Sequence, residues 1–139
     1  MYDSKKITRY QFDTLDFGTA GEVFTVMGPK GKTGRLVDYG VCHPTETFTA
    51  TTLPAYVSVG TVADADAYGD ELSMGTLAAD GGGKSLLSTY SPGRDAGYAT
   101  MLIDRSLPAD TIVALHCTAP TGGTPAGMAC PFMEIIWDD

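Results

Sequence analysis

Residues 111–137 read TIVALHCTAPTGGTPAGMACPFMEIIW. The two ends alternate and the middle does not. At the start, Val113, Leu115 and Cys117 fall on one face; at the end, Met133, Ile135 and Trp137 do, with Glu134 opposite. A period of two marks a half-buried strand, because successive side chains on extended backbone point to opposite faces. The connector APTGGTPAG has no period, and its Gly and Pro favour turns over ladders. If the rest of the chain repeats this grammar, the fold is all-β.

The rest does repeat it. YQFDTLDF (10–17) sets Tyr10, Phe12 and Thr14 against Gln11, Asp13 and Leu15. GEVFTVM (21–27) follows, then GRLVDYGVCH (34–43), where Val37, Tyr39 and Val41 share a face opposite Asp38. PAYVSVGT (54–61) pairs Val57 with Val59, DELSMGTL (70–77) is a weaker run, and YATMLID (98–104) pairs Met101 with Ile103. Between them lie GPKGKTG, ADGGGKS and YSPGRDAG, which are loop compositions. No segment reads as a helix of three turns, and SLLSTY (85–90) is expected to carry a single helical turn. Eighteen threonines suit a pleated surface. The count is about eight strands, which predicts a jelly-roll-like two-sheet β-sandwich of antiparallel strands. An immunoglobulin-like sandwich is the rival, but the only Trp follows all three cysteines.

Length and charge narrow the function. At 139 residues the chain reads as one domain, 1–139, with residues 1–9 readable as an N-terminal arm. Hydrophobic residues at 43% and charged residues at 19% describe a chain that buries a core. Nine basic against seventeen acidic residues give a net charge of −8, which argues against nucleic acid or an anionic membrane as partner. The opening MYDSKKITRYQFDTL lacks the apolar run of a secretory signal, so synthesis in the cytoplasm is expected. Cys42, Cys117 and Cys130 are too few and scattered for a disulfide framework and read as small apolar residues.

Four motifs invite chemistry. TVADADAYGDE (61–71) begins like a calcium loop, with Asp64 and Asp66 at positions 1 and 3 and Gly69 at position 6. Position 5 is Tyr68 and position 12 is Gly75, so the bidentate carboxylate is missing, and the flanks read as strands. We expect a solvated acidic loop and no metal, with Asp64, Asp66 and Asp70 as the weak candidates. MGPKGKTG (27–34) ends like a phosphate loop, but Val26 stands where the first glycine belongs and a strand follows. A hairpin connector is expected, with Lys30 and Lys32 exposed to contact an acidic partner. Cys42–His43 and His116–Cys117 are adjacent on strands, so each pair offers one ligand per face. A cluster of Cys42, Cys117 and Cys130 would need a coincidence of register. With no G-x-S-x-G and both histidines on strands, no catalytic residue is assigned and no enzyme is expected.

The strand PFMEIIW is apolar on both sides, since Phe132 and Ile136 lie opposite Met133, Ile135 and Trp137. Such a strand is central in a sandwich or covered by a partner. Phe132 and Ile136, with Tyr2, Ile7 and Arg9 of the arm, are therefore read as interface residues.

The stretch LVDYGVCHPTETFTATTLPAYVSVGTVADADAY, from Asp38 to Tyr68 in its patterned part, resembles a segment of tailed-phage virion proteins. The chain as a whole resembles the small capsid cement, or decoration, proteins of short-tailed bacteriophages, those of tropism-switching phages among them. The resemblance implies a structural protein on the outer surface of the virion capsid. It would form homodimers or homotrimers and bridge major capsid protein subunits, with no cofactor. The alternative is a receptor- or carbohydrate-binding module of a head fibre or tail. That reading expects Tyr68, Tyr90 and Tyr98 exposed on adjacent loops.

Overall fold

The computed structural model describes residues 7–90, 100–104 and 106–138. Ten strands and one short helix are present among them. They are β1 (Ile7–Gln11), β2 (Leu15–Asp16), β3 (Glu22–Val26), β4 (Gly34–Thr49), β5 (Tyr56–Gly60), β6 (Gly69–Ser73), β7 (Lys84–Ser85), α1 (Leu86–Thr89), β8 (Ser106–Leu107), β9 (Val113–Thr118) and β10 (Ala126–Trp137). None of the helices described is long and apolar enough to cross a membrane.

The strands form two antiparallel sheets. Sheet A runs β1-β10-β4-β7, with β2 added on β10 and β8 on β4; sheet B runs β3-β9-β5-β6. Four antiparallel pairs nest in sequence: β1 with β10, β3 with β9, β4 with β7, and β5 with β6. A long hairpin rolled over itself has this nesting, and it is the jelly-roll order. Consecutive strands such as β3 and β4, or β9 and β10, therefore lie in different sheets. The connectors GPKGKTG and APTGGTPAG cross the sandwich instead of closing hairpins, which corrects the expected hairpin at Lys30 and Lys32. Gly31, at φ 77°, turns that connector and donates its N–H to Asp110 Oδ1 at 2.8 Å.

The core lies between the sheets. Leu36, Tyr39, Val41, Met133 and Ile135 from sheet A meet Val57, Leu72, Val113, Leu115 and Cys117 from sheet B. Burying one such aliphatic side chain is worth about 1.5–3 kcal/mol. Tyr39 brings a hydroxyl into the core, which donates to the Asp70 carbonyl at 2.6 Å and ties the two sheets together. Phe12 stacks on Phe24 with centroids 4.5 Å apart, which closes the side where β1 and β3 are both edge strands.

Three local readings change. The run 10–17 is not one strand: β1 ends at Gln11, and Leu15–Asp16 rejoin β10 farther along, which carries Phe17 into the core. In β4 a register shift falls between the Asp38–Glu134 and Leu36–Ile135 pairs. The extra residue puts Leu36, not Val37, on the core face with Tyr39 and Val41. In YATMLID, Tyr98 and Ala99 lie outside the described residues. Thr100 and Met101 have helical backbone and Leu102 makes only an isolated bridge to Gly69. Met101 and Leu102 are thus buried together and Ile103 is exposed. The helical turn expected at SLLSTY is α1, held by a capping box between Ser85 and Ser88.

Of the arm, Ile7, Thr8 and Arg9 belong to β1 and pair with Ile136, Ile135 and Glu134 of the same chain. Those three residues close the sandwich's own sheet; residues 1–6, Tyr2 included, lie outside the described residues.

Candidate functional site

The outward face of sheet A carries the chemistry. Parity fixes which residues sit there: Met133 and Ile135 point inward, so Phe132, Glu134 and Ile136 point outward, and their ladder partners follow. Four rows cross the face. Ile7, Ile136 and Arg35 form the first; Arg9, Glu134 and Asp38 the second; Gln11, Phe132 and Gly40 the third; Cys130 and Cys42 the fourth.

Arg9 organises the middle rows. Its Nη1 lies 2.8 Å from Glu134 Oε1, and its guanidinium carbon sits 3.9 Å from the centroid of Phe132. Phe132 is only 4% exposed, yet it is not part of the core between the sheets. Phe132, read from the sequence as an interface residue, has its outer side covered by Arg9 within the chain. Ile7 is 49% exposed and its partner Ile136 is half-buried, so the apolar surface of this face gathers at the first row. Lys30 is exposed and Lys32 half-buried on the connector before β4.

Asp38 is buried beside Glu134. Its Oδ1 accepts the N–H groups of Leu87, at 3.0 Å, and Tyr39, at 2.9 Å, so it docks the start of α1 onto β4. Burial pushes its carboxyl above the usual carboxylate range, and Glu134 adds to the rise; the hydrogen bonds from Leu87, Ser85 and Tyr39 offset part of it. Gly40 allows this docking, because a Cβ there would meet the Lys84 carbonyl oxygen at 2.1 Å.

Cys42 and Cys130 are direct ladder partners. The Cys42 thiol donates to the Cys130 carbonyl at 3.6 Å, and the Cys130 sulfur lies 3.4 Å from Thr14 Oγ1. Burial raises the Cys42 pKa, and the Arg9 guanidinium beside it opposes the rise. A hollow of about 270 Å³ opens here, lined by Arg9, Cys42, Lys84, Phe132 and Glu134 among others. Cys117 is elsewhere, buried in the core on β9, and burial pushes its thiol up strongly. The coincidence of register dismissed for three cysteines therefore holds for two of them. Because 88 residues separate the pair, no local spacing announces it.

The acidic stretch takes a different place. Residues 61–67 fold back over the outward face of sheet B. His116 Nε2 lies 2.8 Å from the Thr61 carbonyl oxygen, and Ser58 Oγ donates to the Ala65 carbonyl at 2.8 Å. Thr61 N–H donates to the Asp64 carbonyl at 2.9 Å. Three carbonyls that a cation would want are thus engaged. The Asp64 carboxyl hydrogen-bonds that of Asp66 and raises its pKa, whereas the Asp70 carbonyl serves Tyr39. Among the described residues no group of three or more His, Cys, Asp or Glu is arranged to hold a metal ion.

A larger hollow, about 630 Å³, lies where β8 meets the start of β4, lined by Arg35, Tyr68, Asp104, Ser106 and Asp138 among others. Tyr68 is buried and Tyr90 half-buried against the core, so the expected exposed pair of aromatics is not there. Tyr98 lies outside the described residues. No family model, no curated protein and no solved structure matches the chain.

Proposed function

We propose that this chain is a capsid cement, or decoration, protein of a bacteriophage. It would sit on the outer surface of the icosahedral shell as a homodimer or homotrimer and bridge major capsid protein subunits. The observation that carries the reading is exposed apolar surface along one edge of the sandwich. β3 is one of the two edge strands of sheet B, and Val23 on it and Met27 just past it are 46% and 54% exposed. Continuing the β3–β9 register beyond Val26 and Val113 brings Met27 opposite Ile112, itself 44% exposed. Proteins that act alone blunt such edges with charge or proline. Such apolar surface suits burial against a subunit surface, with avidity from symmetric repetition, and Ile7 exposes more of it on sheet A.

The likeness of Asp38–Tyr68 to virion proteins supports the same reading. That segment supplies most of β4, all of β5 and the loop over sheet B, which is framework in both sheets. A receptor- or carbohydrate-binding module is the second reading, favoured by the hollow lined by Arg35, Tyr68, Asp104 and Ser106.

Quantitative mass spectrometry of purified virions tests both. A ratio of this chain to the major capsid protein near one, or near a simple fraction of one, is the expected result. A handful of copies per particle moves it to the tail or a fibre. In that case a glycan array, with loss of binding in Asp104→Asn, decides the second reading. Absence from the particle overturns both.

A further inference from the structure

We propose that Cys42 and Cys130 form a reversible cross-strand redox latch, closed by a carboxylate-bearing low-molecular-weight disulfide of the glutathione type. The inference stands on the geometry of sheet A and does not depend on the shell reading.

Direct partners on an antiparallel ladder have Cα atoms about 4.5–5.5 Å apart, inside the range of about 4.4–6.8 Å that a disulfide spans. Cys42 and Cys130 are such partners, on the same outward face. Each side chain already makes its contact within this corner: the Cys42 thiol reaches the Cys130 backbone, and the Cys130 sulfur reaches Thr14. Bond formation thus needs side-chain rotation and no movement of strands.

The surroundings suit a thiol–disulfide exchange. The hollow beside Cys42 gives a small molecule access to one sulfur, and Arg9 and Lys84 line it. Asp38 and Glu134 line it too, and Glu134 pairs with Arg9, so Lys84 is the cation that offers itself to a carboxylate-bearing disulfide, while Arg9 offsets part of the burial that disfavours the attacking thiolate. The Cys42 thiolate attacks one sulfur of oxidised glutathione, which breaks the glutathione S–S bond and releases one glutathione thiolate that takes up a proton. The Cys130 thiolate then attacks the Cys42 sulfur and displaces the second glutathione. Two protein thiols are oxidised and one glutathione disulfide is reduced to two thiols.

The consequence is mechanical. β4 and β10 are the two longest strands and neighbours in the middle of sheet A. A bond between them closes a loop containing most of the chain, including three of the four strands of sheet B, and long loops give a disulfide its greatest effect on the unfolded ensemble. Reduced in the cytoplasm, the protein folds without the bond; in an oxidising medium the bond locks the sandwich.

The test uses the whole reduced chain and oxidised glutathione as the probe. After exchange, two of the three thiols are expected to be lost on titration under denaturing conditions. Intact mass falls by two hydrogens, and a peptide joining Cys42 to Cys130 is recovered. Tm rises by about 5 °C or more, and dithiothreitol reverses every change. Cys117→Ser behaves like the parent, Cys42→Ser keeps both remaining thiols, and Cys130→Ser stops at a glutathione mixed disulfide on Cys42. Should either of those two variants fail to fold, the peptide recovered from the parent still decides. In the parent, three free thiols at equilibrium, a stalled mixed disulfide, a bond to Cys117 or between chains, or an unchanged Tm would each overturn the latch.

Discussion

The two sheets of this sandwich cover their outward faces by different means. On sheet B the chain's own backbone, residues 61–67, lies over β5 and β9, so Ser58 and Ala114 are buried although they point away from the core. On sheet A a side chain, Arg9, lies over Phe132. Backbone cover is permanent: its carbonyls are committed to His116, Ser58 and Thr61, and lifting it breaks several hydrogen bonds together. Side-chain cover is replaceable, because one exposed ion pair and one cation–π contact hold it. Sheet B is therefore sealed where residues 61–67 cross β5 and β9, whereas the cover on sheet A can be displaced.

Gly60→Val attacks the first half of that contrast and carries the largest expected effect. Gly60 is buried on β5, and a Cβ there would meet the Asp64 carbonyl oxygen at 2.0 Å and the Ala67 nitrogen at 2.8 Å. Those are backbone atoms, so the loop must lift. Unfolding in urea should show a loss of about 3 kcal/mol, the upper end for overpacking. Limited proteolysis should cut within residues 61–67 far faster than in the parent. A stability loss under about 0.5 kcal/mol, the range of an ordinary surface change, would mean that the loop does not seal the face.

Asp38 probes sheet A at a polar point. Asp38→Ala removes the acceptor shared by Leu87 and Tyr39 and should cost about 2 kcal/mol in the same measurement. Asp38→Asn keeps an oxygen acceptor and removes a buried charge facing Glu134, so at neutral pH it should match or exceed the parent. The pH dependence gives the sign. A carboxyl whose folded pKa is raised binds its proton more readily folded than unfolded. Its contribution to stability therefore falls as pH climbs from the ordinary carboxylate range through the raised value, and it is regained on acidification. Urea midpoints measured across that window should show this slope in the parent and lose it in Asp38→Asn.

Much of this was legible before any coordinates. The alternation in 111–137 and in PAYVSVGT places Val57, Val59, Val113, Leu115, Met133 and Ile135 correctly in the core, because a period of two survives wherever a strand is half-buried. The same rule fails at Val37, where a bulge advances the phase by one residue, and a bulge has no fixed composition. It fails again at Leu102 and Ile103, because a three-residue apolar run reads alike as strand or helix. Strand pairing was beyond local pattern altogether. That Cys42 meets Cys130, or that residues 61–67 return to β9, follows from how the long hairpin rolls, and sequence spacing carries no trace of it. The acidic loop read as solvated is exposed at Asp64, but its backbone is pinned by Ser58 and His116, which single-residue polarity could not announce.

Arg9→Ala tests replaceability itself, and its effect on folding should be the smallest. The pair with Glu134 is partly exposed, at 40% and 22% for the two side chains. Exposed pairs and cation–π contacts contribute about 0.5–1 kcal/mol each at most, so the expected loss of stability is about 1 kcal/mol. A double-mutant cycle with Phe132→Leu separates the ring contact from the ion pair, and high salt should erase only the second. What the substitution uncovers matters more than what it costs. Phe132 would lie open beside an unpaired Glu134, so, on the cement function proposed above, binding to shells stripped of this chain should change by far more than the folding energy does. If stability falls by 3 kcal/mol or more, Arg9 is a structural clamp, and the two faces are covered equally firmly after all. If stability barely moves while shell binding changes sharply, sheet A is the working face and its arginine the cover a partner must displace.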